Sequence, residues 1–390
     1  MKKKIGFFIT SLGIGGIEKA LLSMIKAMDK QKYEITVYTI EKKGKLLSEF
    51  EKEVNVEEIN DLKEKLIWNG KEILRKYIKE RKFISCLKEI MLLIYYKITK
   101  KDRNELANNA NYLPETLDIA VSYQVLISPI TIFVAEKVQA EKKYLWNHAD
   151  LMSVPKKKIE NYKKYFEKYD KIFSVSEKAT QNMEILLPEL KNKMHTFYNI
   201  INEEEIKKKA EEEYENCFSD NYINIVTVAR LAKGKGYDLA VKITSKLIKK
   251  GYKIKWFAVG GGEEKDNLER LIKEFNVENY FILLGEKLNP YPYIKNADIY
   301  IQPSVYEGNS TTSTEAKILC KPIITTNTAG VNEKFKNGEN AIIVNYDEKE
   351  IEMAIVDLIE NKNKREKFVK NLKSVQDDKN KINNIIEENF

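Results

Sequence analysis

The segment from Tyr306 to Pro322, YEGNSTTSTEAKILCKP, carries two carboxylates, Glu307 and Glu315, with seven residues between them and no large apolar side chain in the gap. Carboxylates suit sugar hydroxyls because each offers two strong acceptor oxygens. The preceding ADIYIQPS (297–304) reads as a strand, so Glu307 falls in the loop after its carboxyl end and Glu315 in the first turns of a following helix. Between them, Asn309, Ser310, Thr311 and Thr312 supply capping side chains and free backbone N–H groups. Such a turn can hold a phosphate while the flanking carboxylates hold hydroxyl-bearing parts of the same ligand. The plainer alternative is a polar loop capping a surface helix.

Three further groups belong to the same chemistry. The first apolar run ends in TSLGIGGIE, which places Gly13, Gly15 and Gly16 just before a helix. Glycines let backbone approach a ligand, and a helix N-terminus favours an anion. The spacing is not the dinucleotide fingerprint, and a tight strand-to-helix turn explains it equally well. In VARLAKGKGYD, Arg230 ends a strand and Lys235 follows in a glycine-flanked turn, where two cations can clamp a diphosphate and stabilise charge on it as it leaves. Of the two histidines, His148 ends the strand KKYLWNH and can face a ligand, whereas His195 reads as structural. Neither has the companions of a metal site or a Ser-His-Asp triad, and no Walker A, H-E-x-x-H or paired C-x-x-C motif is present.

These residues need a scaffold that brings strand ends together. Apolar runs at 4–10, 34–40, 117–123, 142–148 and 171–176 alternate with amphipathic stretches. The alternation restarts at 223–230 and continues through 253–262, 279–285, 297–304 and 321–327. This predicts an α/β chain of two doubly wound, Rossmann-like halves, which place ligands at the carboxyl ends of parallel strands. The 390 residues suit two domains. We expect an N-terminal domain over 1–200, a C-terminal domain over 201–365 and a helical tail over 366–390 that can pack back on the first domain. The charged stretch 203–221 reads as the connector.

Three widely spaced cysteines, Cys86, Cys217 and Cys320, make no disulfide framework and point to a reducing cytosol. No run approaches the roughly 20 apolar residues of a membrane span. The net charge of +8 arises from 67 basic and 59 acidic residues. Residues 63–103 hold thirteen Lys/Arg against five Asp/Glu, an excess that equals the whole chain's, interleaved with apolar and aromatic residues. That composition fits basic amphipathic helices on an anionic membrane surface, or equally helices whose apolar stripe packs on the sheet. No nucleic-acid motif accompanies it.

Taken in order, LGIGGIEKALL (12–22), His148, VARLAKGKGYDLAV (228–241), VGGGEEKDNLERLI (259–272) and SVYEGNSTTSTEAKILCKPIITTNTAG (304–330) resemble family 4 glycosyltransferases of the GT-B fold, of the kind that builds bacterial surface polysaccharides. The resemblance runs to about residue 365 and implies two domains facing a cleft, with a nucleotide-sugar donor on the C-terminal one and an acceptor on the N-terminal one. It implies a retaining, metal-independent hexosyltransferase with no cofactor, using a UDP-sugar and a lipid-linked or glycan acceptor. The implied setting is cytoplasmic, peripheral on the inner face of the plasma membrane. By position, Gly15 and Gly16 approach the diphosphate, Arg230 and Lys235 neutralise it, His148 contacts the transferred sugar, Glu307 its hydroxyls and Glu315 the ribose. The stretch from Gly285 to Leu288 receives the base. Asn309, Ser310, Thr311 and Thr312 replace the family's usual Gly-Phe-Gly-aliphatic run, and Cys320 stands where Gly is usual before Lys-Pro. A sugar-nucleotide epimerase of the same fold and a non-catalytic basic binding module are the competing expectations.

Overall fold

The computed structural model describes residues 2–66, 83–84, 87, 90–91, 102–149, 151–373 and 386–390. Buried, β-branched and aromatic runs form two all-parallel sheets, as expected for strands covered on both faces. The first sheet comprises β1 (Lys3–Ile9), β2 (Tyr33–Thr39), β3 (Asn55–Glu58), β4 (Thr116–Tyr123), β5 (Gln139–Asn147), β6 (Lys171–Ser174) and β7 (Met194–Thr196), in the order β3-β2-β1-β4-β5-β6-β7. The second comprises β8 (Ile223–Val228), β9 (Ile254–Val259), β10 (Phe281–Gly285), β11 (Ile299–Gln302), β12 (Ile323–Thr326) and β13 (Ile342–Val344), in the order β10-β9-β8-β11-β12-β13. Two apolar clusters sandwich each sheet.

Strand order reverses beside β1 in the first sheet and beside β8 in the second. Each reversal opens a crevice at the strands' carboxyl ends, where α/β folds bind ligands. The helices that matter for the site are α1 (Gly16–Ala27), α2 (Glu177–Leu186), α3 (Glu203–Lys209), α4 (Tyr237–Lys249), α5 (Tyr291–Asn296), α6 (Thr311–Ile318) and α7 (Val331–Lys334). Helices α1, α4 and α6 follow β1, β8 and β11, so their N-termini open onto the two crevices.

One expectation changes, and one departure from the family pattern finds its structural counterpart. The stretch 203–221 is more than a connector, because Ile206 of α3 and Ala210, the residue that ends it, are buried in the second domain's core beside Val226 and Val228. A short helix needs only one apolar face, so two such residues among many charges suffice. Cys320 adopts a left-handed φ of +53°, and its N–H donates to the Lys317 carbonyl at 2.9 Å. The helix therefore closes as it would on glycine, at a local cost of about 1 kcal/mol.

Most of the basic insert 63–103, and with it the expected membrane surface, lies outside the described residues. Among those described, Phe83, Ile84, Leu87 and Met91 expose large apolar side chains. No described helix is long and apolar enough to cross a membrane. At the other end of the chain, Phe390 is buried against Phe7, Tyr144 and Trp146 of the first sheet at ring separations of 6.0, 5.9 and 6.3 Å. Its carbonyl accepts from Lys3 Nζ at 2.7 Å.

Candidate functional site

The loop after β8 is held flat against the loop after β11. Gly234 and Gly236 take left-handed φ values of +84° and +75°, and a Cβ on Gly236 would lie 1.8 Å from the Pro303 carbonyl oxygen. The Val305 N–H donates to the Gly234 carbonyl at 2.7 Å. This approach delivers Lys235 Nζ to 2.6 Å from Glu307 Oε1, and Ser304 Oγ donates to the same oxygen at 2.8 Å. The candidate sugar-binding carboxylate and one candidate diphosphate cation thus form a single ion pair.

Arg230 stands apart from that pair. Its side chain is 72% exposed and meets Glu263 Oε2 at 3.0 Å. Its charge also reaches Glu18 in the first turn of α1, a carboxylate whose pKa burial raises and Arg230 partly brings back. Glu18 was not among the expected site residues. It folds over the glycine loop, where a Cβ on Gly15 would sit 2.4 Å from its Oε2. Its position in the first turn after glycine-rich backbone was the available signal.

The two helix N-termini converge. A Cβ on Gly16, at the start of α1, would lie 2.7 Å from Thr311 Oγ1, at the start of α6. Ser310 caps α6, its Oγ accepting from the Ser313 N–H at 3.2 Å. Positive helix ends from both domains therefore face one small volume, an arrangement that favours an anion.

Glu315, on α6, is 3% exposed. Its Oε1 accepts from Tyr291 Oη of α5 at 3.3 Å and lies 3.6 Å from Lys19 Nζ of α1. Its buried Oε2 has no hydrogen-bond partner among the described residues. A buried acceptor left open costs free energy, so it marks a place where a ligand donor fits. Lys19, which also lies 4.9 Å over the Tyr291 ring, was not expected; nothing distinguishes it in sequence from the surface lysines around it.

The polar run does less facing of open space than its composition suggested. Asn309 Nδ2 donates across the cleft to the Val175 carbonyl, while its Oδ1 is buried with no partner among the described residues. Thr312 Oγ1 donates to Gln302 Oε1 at 3.1 Å, and Ser310 serves the helix cap. Ser176 Oγ donates to the Gly308 carbonyl at 3.0 Å, and a Cβ on Gly308 would lie 2.6 Å from the carbonyl oxygen of His148. Gly308 and Asn309 thus pin the Glu307 loop to the N-terminal domain, while Ser310 and Thr312 bond within the C-terminal one.

His148 is brought to that same place. Its ring meets Tyr123 edge-on at 4.6 Å, and its buried Nε2 has no partner among the described residues. Burial pushes its pKa down to about 3, so the ring is neutral at ordinary pH and can offer a hydrogen bond but no charge. His195 lies exposed on the edge strand β7. Gly285 ends β10 with φ +70° and its carbonyl accepts from the Gly260 N–H at 2.9 Å, leaving open space where a Cβ would stand. Glu286, next in sequence, pairs with Lys45 of the N-terminal domain.

Beside Glu307 a cavity of about 630 Å³ opens between α2 and the loops at 305–307 and 327–330. Its far wall is latched: Glu333 accepts from the N–H groups of Glu177 and Lys178 at 3.0 and 2.9 Å and from Tyr198 Oη at 2.9 Å. Among the described residues no three His, Cys, Asp or Glu side chains cluster as metal ligands.

Residues 208–375 match the family described as glycosyl transferases group 1. An N-acetylgalactosamine-N,N'-diacetylbacillosaminyl-diphospho-undecaprenol 4-alpha-N-acetylgalactosaminyltransferase of Campylobacter jejuni is 33% identical over 40% of this chain and 41% of its own. The capsular polysaccharide biosynthesis glycosyltransferase CapM of Staphylococcus aureus is 31% identical over 40% of this chain and 42% of its own. The chain thus spans only about two-fifths of the length of these relatives. An uncharacterized glycosyltransferase of Haemophilus influenzae is 25% identical over 87% of this chain and 86% of its own. In fold, the chain resembles Anabaena Alr3699/HepE in complex with UDP-glucose, with a TM-score of 0.72 at 15% identity over 99% of this chain and 98% of that one. It also resembles a mutant of S. aureus TarM, solved with UDP among its ligands, with a TM-score of 0.68 at 13% identity over 100% and 97%. The two Rossmann-like domains facing a cleft are the GT-B architecture of these structures.

Proposed function

We propose that this chain, whose residues 208–375 match the group 1 glycosyltransferases, is a retaining enzyme of surface-polysaccharide synthesis moving a hexose or N-acetylhexosamine from a UDP-sugar to a lipid-linked or glycan acceptor. The observation that carries this reading is the Lys235–Glu307 pair, set beside the converging starts of α1 and α6, with the open Oε2 of Glu315 on the same helix. The fold neighbour HepE, solved with UDP and with UDP-glucose, supports the choice of nucleotide. The undecaprenol-linked substrate named for the C. jejuni relative supports a lipid-linked acceptor.

In this reading the diphosphate lies between the N-termini of α1 and α6, with Gly15 and Gly16 giving it backbone access. Lys235 and Arg230 balance its charge as it leaves, so no metal is required. Glu307 accepts hydroxyls of the transferred sugar, His148 offers that sugar a neutral hydrogen-bonding edge, and Glu315 takes the ribose. The base lies along Gly285 to Leu288. The bond from the anomeric carbon to the diphosphate oxygen breaks while the bond to the acceptor oxygen forms on the same face. The acceptor's proton passes to the departing phosphate oxygen, so the step needs no side-chain base. The exposed Phe83, Ile84, Leu87 and Met91 support docking of the basic insert on the cytoplasmic face of an anionic membrane.

The deciding experiment is a donor panel of UDP-, GDP-, dTDP- and ADP-sugars, with EDTA present and polyprenyl-linked glycans as acceptors, read by mass spectrometry. Transfer or slow hydrolysis of a UDP-sugar is expected. Isomerised donor without acceptor indicates the epimerase, and no turnover or binding with any donor sinks the proposal. Within the panel, Glu315→Gln should weaken donor binding about 10–100-fold, the worth of one or two hydrogen bonds to a charged group. Calorimetric titration checks this, and unchanged affinity removes Glu315 from the ribose.

A further inference from the structure

Lys334 ends α7, and its ammonium points into the protein behind the polar turn. It donates to the Ser310 carbonyl at 2.7 Å and to Thr314 Oγ1 at 2.6 Å. Those two atoms belong to the cap and first turn of α6, whose front is the anion-favouring volume shared with Gly16. The charged groups around the ammonium are Glu307 from the loop after β11, Glu315 and Lys317 from α6, and Glu333 beside it on α7, with Lys235 bound to Glu307. None of the roles assigned above uses this lysine.

We propose that Lys334 is a donor-positioning residue: its Nζ, bonded to the Ser310 carbonyl and Thr314 Oγ1, holds the Ser310 turn in its anion-receiving shape, and the neutral amine takes up a proton as the diphosphate arrives. The inference rests on the donor reading above. Burial lowers Lys334 to about 7, with Glu307 holding it up in part and Lys317 pressing it further down. In the empty site, near neutrality, a large share of molecules therefore lacks this charge. A diphosphate adds negative charge at the front of the same helix turn and raises the lysine's proton affinity. The donor-bound state then carries more protons than the empty one. Donor affinity is highest below pH 7, falls as pH rises from about 7 towards the donor-bound value, and levels off above that value.

The test is calorimetric titration of the full chain with UDP-glucose from pH 6 to 8.5, in two buffers of different ionisation enthalpy, for wild type, Lys334→Met and Lys334→Arg. Any titration of the ligand is common to all three proteins. Wild-type affinity should drop about tenfold across the range, the equivalent of one unit of pKa shift, with proton uptake on binding. Lys334→Met should be weaker at pH 6 and nearly flat with pH, taking up no proton. Lys334→Arg, always charged, should also be flat but tighter than Lys334→Met at pH 8.5. A wild-type slope in Lys334→Met overturns the proposal, as does uniform weakening with the slope retained, which indicates packing alone. If Lys334→Met does not fold, a wild-type slope in Lys334→Arg overturns it. A wild type that binds no nucleotide sugar overturns both this inference and the donor reading, whereas a binding wild type with an unchanged slope in the variants overturns this one alone.

Discussion

Replacing Lys235 with Met is expected to lower the rate of transfer by about 10²–10³-fold, the cost of losing one preorganised charge partner in a transition state. The loss should fall mainly on kcat. Charge on the departing diphosphate grows as the sugar bond breaks, so a cation there acts more strongly in the transition state than in the bound donor. Glu307→Gln should cost a similar factor for a different reason. The amide weakens the grip on sugar hydroxyls and leaves Lys235, at 2.6 Å, without its counter-charge. Because the two side chains form one pair, the double variant should lose much less than the product of the single losses. Steady-state kinetics on the three variants measures the coupling. Independent effects that multiply would mean that the pair does not act as a unit, and a Lys235→Met enzyme with wild-type kcat would remove the lysine from leaving-group stabilisation.

Gly236→Ala carries the second large effect, and it is one of construction rather than chemistry. The residue holds φ +75°, costing alanine about 1–2 kcal/mol, and the added Cβ would lie 1.8 Å from the backbone oxygen of Pro303. A backbone oxygen cannot rotate away as a side chain can, so the loop after β8 must lift off the loop after β11. We expect a loss of order 3 kcal/mol, seen as a fall of about 6–12 °C in the thermal midpoint, together with loss of transfer as Lys235 moves away from Glu307. Gly236→Asn separates the two causes. Asparagine tolerates the left-handed backbone but still brings a Cβ, so it should fail as alanine does. Rescue by asparagine would show that conformation, not contact, governs the position.

Arg230 is expected to matter less than Lys235, although in sequence the two read as one clamp. Spacing placed both in the same turn after β8 but had no means of choosing their partners. The turn's glycines send Lys235 inward to Glu307, while Arg230 remains largely exposed against Glu263. The polar run shows the same limit. Its side chains were legible as hydrogen-bonding groups, but Asn309 reaches to Val175 and Thr312 to Gln302, partners 134 and 10 positions away.

What the sequence by itself determined was local or periodic. Alternating strand and helix patterns defined two parallel-sheet halves, because burial on both faces demands continuous apolar strands. The position of Glu307 after a strand and Glu315 within the next helix followed from spacing along one loop and one helix turn. The three-residue strand β13 and the four-residue β3 escaped notice because so short a run holds too little periodicity. Only the tertiary structure decided which charges meet. It drew Lys19 from α1 to Glu315, brought His148 against Gly308 and put Lys334 behind Ser310. A lysine's chemistry is set by the dielectric and the neighbours around its ammonium, and those are fixed only when distant elements pack.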